Sequence, residues 1–196
     1  MDATTEPMAT GTVPLKRGDL TGWAAGTYIP RRGGRAARHY ADGFSSALWA
    51  AKIMPDVGRE WAYDLGRLVA DLLPDGVTTV VNPPPSRQNR GWHLARGLAQ
   101  GVVTILRGRG RAVRLGRELR WEKPAGEASK ALMSQRGKGR GLGRVCIVDE
   151  EVAGECVAIV DDLTTTGCTA AVVAEALLAA GATVAGVYCL GATERT

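Results

Sequence analysis

Val157-Ala158-Ile159-Val160-Asp161-Asp162-Leu163-Thr164-Thr165-Thr166-Gly167-Cys168-Thr169 is the stretch on which the fold of this 196-residue chain turns. Cys156–Val160 is a short apolar run that predicts a buried strand, and two carboxylates follow as it emerges. Small hydroxyl residues and one glycine then lead into a helix expected over Thr169–Ala180 and ended by Gly181. Gly167 lets the backbone turn tightly, and Thr165, Thr166 and Thr169 place hydroxyls beside backbone N–H groups. The helix that follows points its positive end at the same place, which makes a cradle for phosphate. Asp161 and Asp162 are acceptors, suited to a sugar diol or to the waters of a magnesium ion. The plainer alternative is a strand–helix crossover whose aspartates cap the helix or face solvent. Two adjacent carboxylates repel each other without a ligand or cation, which favours the site. The chain holds no G-x-x-x-x-G-K-[ST] loop, and this turn carries no dinucleotide fingerprint.

Outward from that stretch, strands and helices alternate. Phe44–Met54 predicts a helix closed off by Pro55. Asp56–Leu73 carries Trp61, Leu65, Leu68 and Leu72 at helical spacing before Pro74-Asp75-Gly76 stops it. Val77–Val81 is a β-branched strand, and Asn89–Leu106 a helix with Leu94, Leu98, Val102 and Ile105 on one face. Ala112–Leu115, Val145–Val148 and Thr183–Leu190 complete the expected strands. Such alternation predicts an α/β fold, a mostly parallel sheet flanked by helices, with ligands at the carboxyl ends of its strands.

Residues 13–196 are expected to form a single domain preceded by a loose tail over 1–12 with no apolar leader. No apolar run is long enough to span a bilayer, so a cytoplasmic address without membrane partners is expected. Cys146, Cys156, Cys168 and Cys189 show no C-x-x-C pairing and fit reduced, mostly buried thiols; with only two histidines, a zinc centre is not expected. The net charge of +5 hides an asymmetry. Arg87–Arg144 holds 15 basic and 3 acidic residues, a net of +12, whereas Val145–Thr196 holds 1 and 8, a net of −7. A basic middle beside an acidic end suits a polyanion held with a divalent cation, or is simply a solvated basic face.

The Val157–Thr169 stretch resembles the phosphoribosyl pyrophosphate motif of type I phosphoribosyltransferases. The resemblance implies that Asp161 and Asp162 hold the ribose hydroxyls and that Thr165, Thr166, Gly167, Cys168 and Thr169 wrap the 5′-phosphate. Val80-Val81-Asn82-Pro83-Pro84-Pro85-Ser86-Arg87, with Arg90-Gly91-Trp92-His93 after it, is similar to the first motif of ComF-like (competence-associated) phosphoribosyltransferases. Pro84, Pro85, Ser86, Arg87 and Arg90 are then the expected pyrophosphate-binding residues, with Arg87 and Arg90 able to add charge-assisted hydrogen bonds. Lys52 falls where that family often carries a lysine, and Ser134-Gln135-Arg136 where it has a mobile basic segment. His93 stands at the usual asparagine position, and no asparagine follows Arg136 at the expected short distance. The implied fold adds a small hood and a flexible loop to the sheet. That loop is the glycine-rich stretch carrying Lys130, Arg136, Lys138 and Arg140.

The implied activity is transfer of phosphoribose from phosphoribosyl pyrophosphate, with Mg2+, to a nitrogen nucleophile such as a nucleobase. Arg136 would neutralise the departing pyrophosphate and Asp162 would act as general base; no direct protein–metal ligand is expected. Two alternatives remain open. One is a non-catalytic sensor of phosphoribosyl pyrophosphate or a nucleotide. The other is an accessory protein of DNA uptake whose basic segment contacts nucleic acid. The acceptor base is not specified by any motif, and a homodimer is compatible with the sequence.

Overall fold

The computed structural model of the protein describes residues 12–17, 20–31, 35–85, 93–117, 119–122, 145–148 and 151–193. Its centre follows from strand alternation, since successive side chains on a strand cover opposite faces. In β3 (Thr79–Val81), β7 (Cys156–Thr164) and β8 (Thr183–Thr193), Val80, Ala158, Val160, Tyr188 and Leu190 enter one core. Their neighbours Val81, Val157, Ile159 and Val187 enter a second. Both faces are therefore covered, which explains why β7 reads as an unbroken apolar run. Ile159, Val160 and Leu190 are fully buried, each worth about 1.5–3 kcal/mol against exposure.

The first face is packed by α2 (Gly43–Ile53), α3 (Pro55–Ala70) and α4 (Leu94–Gly108) through Phe44, Leu48, Leu65, Val69, Leu98 and Val102. Asp42 caps α2 by accepting from the Ser45 N–H at 2.7 Å. The second face is packed by α5 (Cys168–Ala179) through Ala170, Val173 and Leu177. A short α1 (Ala36–Ala41) precedes α2.

Two further strands, β1 (Val13–Arg17) and β2 (Leu20–Tyr28), pair antiparallel with each other, and β2 joins β8 in parallel. With β4 (Arg114–Leu115) beyond β3, the six-stranded order is β1-β2-β8-β7-β3-β4, parallel except at β1. The expected α/β class and mostly parallel sheet are thus present. Outside the sheet, β5 (Arg120–Glu122) and β6 (Val145–Ile147) form an antiparallel ribbon, and residues 123–144 connect them. Among the described residues no helix is long and apolar enough to cross a membrane.

Several boundaries shift for identifiable reasons. α3 ends at Ala70, before the expected Leu73. The last turn tightens there, with Leu72 N–H donating to Val69 O and Leu73 N–H to Ala70 O, and Leu73 still packs in the core. β7 does not stop at Val160 but runs to Thr164, because β8 supplies ladder partners as far as Ala192. Asp161 and Asp162 therefore lie inside the strand and not beyond its end. The helix expected from Asn89 is described from Leu94, and residues 89–92 lie outside the described residues.

At the amino end of the sheet, away from the candidate site, Glu155 is gripped by Arg114 at 2.6 Å and by the Thr79 hydroxyl. Burial pushes its pKa up, but the Arg114 hydrogen bond, the Thr79 hydroxyl and the Arg114 charge outweigh that and hold it below the usual value. A depressed folded pKa gives stability that is present at neutral pH and lost as pH falls through it. Glu155→Gln is expected to cost about 1–2 kcal/mol at pH 7 and to flatten the acid limb below about pH 4.5. Urea unfolding at pH 7 and pH 3.5 checks this; an unchanged acid limb would assign it to other carboxylates.

Candidate functional site

The parallel strands β3, β7, β8 and β2 all point their carboxyl ends the same way, and the motif residues gather there. Alternation sends Asp162 to the face of α2–α4 and Asp161 to the face of α5. Asp162 is only 4 % exposed, and its Oδ1 accepts from Lys52 Nζ at 2.7 Å. Two residues singled out for separate reasons, 110 positions apart, are thus one ion pair. Lys52 comes from the last turn of α2, where a cation also suits the helix dipole.

Asp161 is partly exposed, and its Oδ1 accepts the Asp162 backbone N–H at 2.8 Å. Burial, then the neighbouring Asp162 charge, push its pKa up to about 7, against the pull of Lys52 and of that N–H. The free protein therefore holds a carboxylate that is costly to ionise, the condition a bound diol or cation would relieve.

The Thr164–Thr169 turn leads into α5, as the sequence predicts. Gly167 sits at φ +70°, a left-handed conformation that side chains rarely adopt, and is the N-cap of α5. No side chain caps that helix start, so its first N–H groups face the loop. Thr165 and Thr166 are exposed, while Cys168 and Thr169 are half-buried. The Thr166 hydroxyl donates to Cys168 Sγ at 3.1 Å. Asp161, Leu163 and Thr164–Ala170 line a small cavity of about 50 Å3.

The proline turn after β3 is held from behind. Asn82, buried, donates to Pro83 O at 3.0 Å, and Trp121 Nε1 of β5 donates to Pro84 O at 3.0 Å. Prolines have no N–H, and Pro83 and Pro84 are buried with these carbonyls engaged. Pro84 and Pro85 can shape an anion site but cannot donate backbone hydrogen bonds to it. Ser86, Arg87 and Arg90 lie outside the described residues, as do Lys130, Arg136, Lys138 and Arg140.

Part of the basic middle is structural. Arg96 donates to Gly116 O, Arg107 to Val113 O, Arg111 to Leu73 O and Pro74 O, and Arg114 to Glu155. These four arginines bind backbone carbonyls and one carboxylate within the fold, which lowers the share of that charge left for a polyanion.

Sequence reasoning missed the β1–β2 hairpin and Tyr28. Tyr28 is buried at the carboxyl end of β2, and its hydroxyl pKa is raised by burial against the nearby charges of Lys52 and Arg31. His39 of α1 packs edge-on against its ring at 5.8 Å and contacts Ile29 O through Nδ1 at 2.6 Å. A carbonyl only accepts, so Nδ1 carries the proton. The signal available was the Gly18-Asp19 pair between two apolar stretches, a hairpin pattern. No protein-family model matches this chain, and a search of the curated proteins finds no match either.

Proposed function

We propose that the protein binds phosphoribosyl pyrophosphate on a type I phosphoribosyltransferase-like fold and transfers its phosphoribosyl group to a nitrogen nucleophile. The observation that supports this best is the convergence, at one sheet end, of an uncapped glycine-led phosphate loop with the Asp161–Asp162–Lys52 cluster. Phosphate fits the loop, and the ribose hydroxyls fit the more accessible carboxylate, Asp161. Lys52 pairs with Asp162 beside the reaction centre, where Asp162 is the candidate general base. The proline turn, braced by Asn82 and Trp121, shapes the pyrophosphate site, with Ser86, Arg87 and Arg90 as its donors and Arg136 as the residue that neutralises the leaving group. α1 and the Ile29–Arg31 segment supply the small hood.

The donor set fits magnesium in a limited way. Among the described residues no group of three or more His, Cys, Asp or Glu gathers. Magnesium usually keeps several of its waters, and Asp161 is the carboxylate whose charge a cation held through water would offset. Bound with pyrophosphate, magnesium would offset negative charge on the leaving group. Asp161 then orients the ribose, the phosphate loop anchors its far end, and the half-buried Lys52–Asp162 pair keeps the reaction face in register.

Phosphoribosyl pyrophosphate with magnesium, at about a hundredfold excess over Kd, is expected to stabilise the protein by about 2.7 kcal/mol. For a chain of this length that is a rise in Tm of roughly 5–10 °C. No rise at millimolar ligand would overturn the binding claim. Pyrophosphate release with a panel of nucleobases then separates enzyme from sensor: a Tm rise with no release from any base supports the sensor.

A further inference from the structure

Arg31, just beyond the carboxyl end of β2, is held in place without being neutralised. Its Cζ stands over two rings, 5.3 Å from the Tyr40 centroid and 5.1 Å from that of Trp49. Two residues before it, Ile29 is pinned from both sides: its N–H donates to Ser45 Oγ at 2.9 Å and its carbonyl accepts from His39 Nδ1 at 2.6 Å. His39 is fully buried and meets Tyr28, Tyr40 and Trp49 edge-on. The same histidine thus steadies both the rings that grip Arg31 and the backbone that carries it. Among the described residues no carboxylate pairs with Arg31, since Asp42 caps α2 and Asp162 takes Lys52. The rings attract the cation through their faces and leave the donors along its edge open. Arg31 is exposed and Tyr40 is 61 % exposed, so a ligand reaches that edge.

Strand order decides which anion this cation meets. Burial raises the Tyr28 hydroxyl pKa, the charges of Lys52 and Arg31 lower it and that of Asp162 raises it, so all three charges stand around one hydroxyl. β2 lies two strands from β7 on one side, and β3, which leads into the proline turn, lies next to β7 on the other. At about 4.8 Å per strand, the ends of β2 and β3 are roughly 14 Å apart, with Asp161 and Asp162 between them. A leaving group at the proline turn and the guanidinium of Arg31 are therefore on opposite sides of the sugar. A displacement that inverts the anomeric carbon brings its nucleophile in from the side opposite the leaving group. An anion on Arg31 then belongs to the incoming nucleophile and not to pyrophosphate.

We infer that Arg31 binds an acid group, carboxylate or phosphate, carried by the nitrogen nucleophile that accepts the phosphoribosyl group. This deepens the function proposed above and rests on it. In the transfer, the bond from the anomeric carbon to pyrophosphate breaks and its electron pair leaves with pyrophosphate. The nitrogen lone pair forms the new bond, and the proton lost from nitrogen passes to Asp162. Arg31 takes no part in those bonds and acts on specificity. Its planar fork matches two oxygens of a carboxylate or phosphate at once, which fixes the acceptor's orientation. Because rings and backbone already hold the side chain, little freedom is lost when the acid docks.

The test is calorimetric titration of the protein loaded with ribose 5-phosphate and magnesium pyrophosphate. The probes are matched pairs: nicotinate against nicotinamide, orotate against uracil, and aminoethyl phosphate against ethanolamine. At least one acid is expected to bind about tenfold or more tightly than its neutral partner, and the pair that shows it tells carboxylate from phosphate. Arg31→Gln should bring that ratio to about one. Arg31→Lys, which keeps the cation over the rings but loses the paired contact, should retain only part of it and guards against a hood loosened by loss of the charge. Phosphoribosyl pyrophosphate is titrated separately into all three proteins, and its affinity should change less than about threefold. No preference for any acid in the unmodified protein would overturn the role of Arg31 while leaving the proposed function standing. A preference that survives in folded Arg31→Gln puts the acid elsewhere and also overturns it. A tenfold loss of phosphoribosyl pyrophosphate affinity in Arg31→Gln would assign the arginine to pyrophosphate instead. Failure of the unmodified protein to bind phosphoribosyl pyrophosphate would overturn the proposed function and the role of Arg31 with it.

Discussion

Asp161→Asn is expected to make the free protein more stable while abolishing its affinity for phosphoribosyl pyrophosphate. The carboxyl is held near a pKa of about 7 by burial and by the charge of Asp162. Its unfolded value is near 3.8, so the folded state binds this proton more tightly than the unfolded chain does. Stability from this group is therefore full below about pH 4 and is lost as pH rises toward about 7. At pH 8 the wild-type protein carries the whole cost and the asparagine variant carries none of it. We expect a gain of roughly 2 kcal/mol, discounted from the full shift because water reaches the carboxyl. The amide oxygen can still accept the Asp162 N–H, so the local backbone is preserved. Without the anion, the sugar diol loses its acceptor and the repulsion that ligand binding relieves. Urea unfolding at pH 5 and pH 8, beside titration with ligand and magnesium, measures both effects. A variant that is less stable at pH 8, or that keeps wild-type affinity, would show that Asp161 is structural.

The second large effect lies at the β2–β8 seam. Gly22 pairs with Val187, and a Cβ added there would stand 1.8 Å from the Val187 carbonyl oxygen. That oxygen is backbone and cannot rotate away, so β2 must lift from β8. Gly22→Ala is expected to cost more than about 3 kcal/mol, the range of severe overpacking and broken pairing. Gly43→Ala is the control, since a Cβ there meets nothing within 4 Å. It lies at the start of α2 and should change stability by no more than about 1 kcal/mol, in the stabilising direction. Chemical denaturation of both variants, with hydrogen exchange across β1 and β2, resolves the seam. Wild-type stability in Gly22→Ala would mean that β2 does not pack against β8 at this register.

The sheet and the loop were legible in the sequence to different depths. Cys156–Val160 showed itself as a strand because both its faces are buried, which leaves an apolar run that no solvent face interrupts. The continuation through Asp161–Thr164 did not, since two carboxylates in a row ahead of a run of threonines look like a strand's end; pairing with β8 keeps them extended. The helices α2, α3 and α4 were visible from their spacing, with errors of a few residues where turn bonds replace helical ones. The hairpin escaped notice because four of the nine residues of Leu20–Tyr28 are glycine or alanine, which dilutes the strand preference of its threonines, Trp23 and Tyr28. Its extended form comes from β8 on one side and β1 on the other.

For the site, the sequence by itself determined what local chemistry can dictate: a strand, a hydroxyl-rich turn, a glycine at Gly167 and a helix start, all within thirteen consecutive residues. Turn geometry and alternation depend on near neighbours, so they are written where they act. Only the tertiary structure decided that Lys52 neutralises Asp162, that Asp161 is left with the costly charge, and that Trp121 braces the proline turn. A lysine near a helix end and a tryptophan in a basic stretch look like surface residues until the fold brings their partners to them.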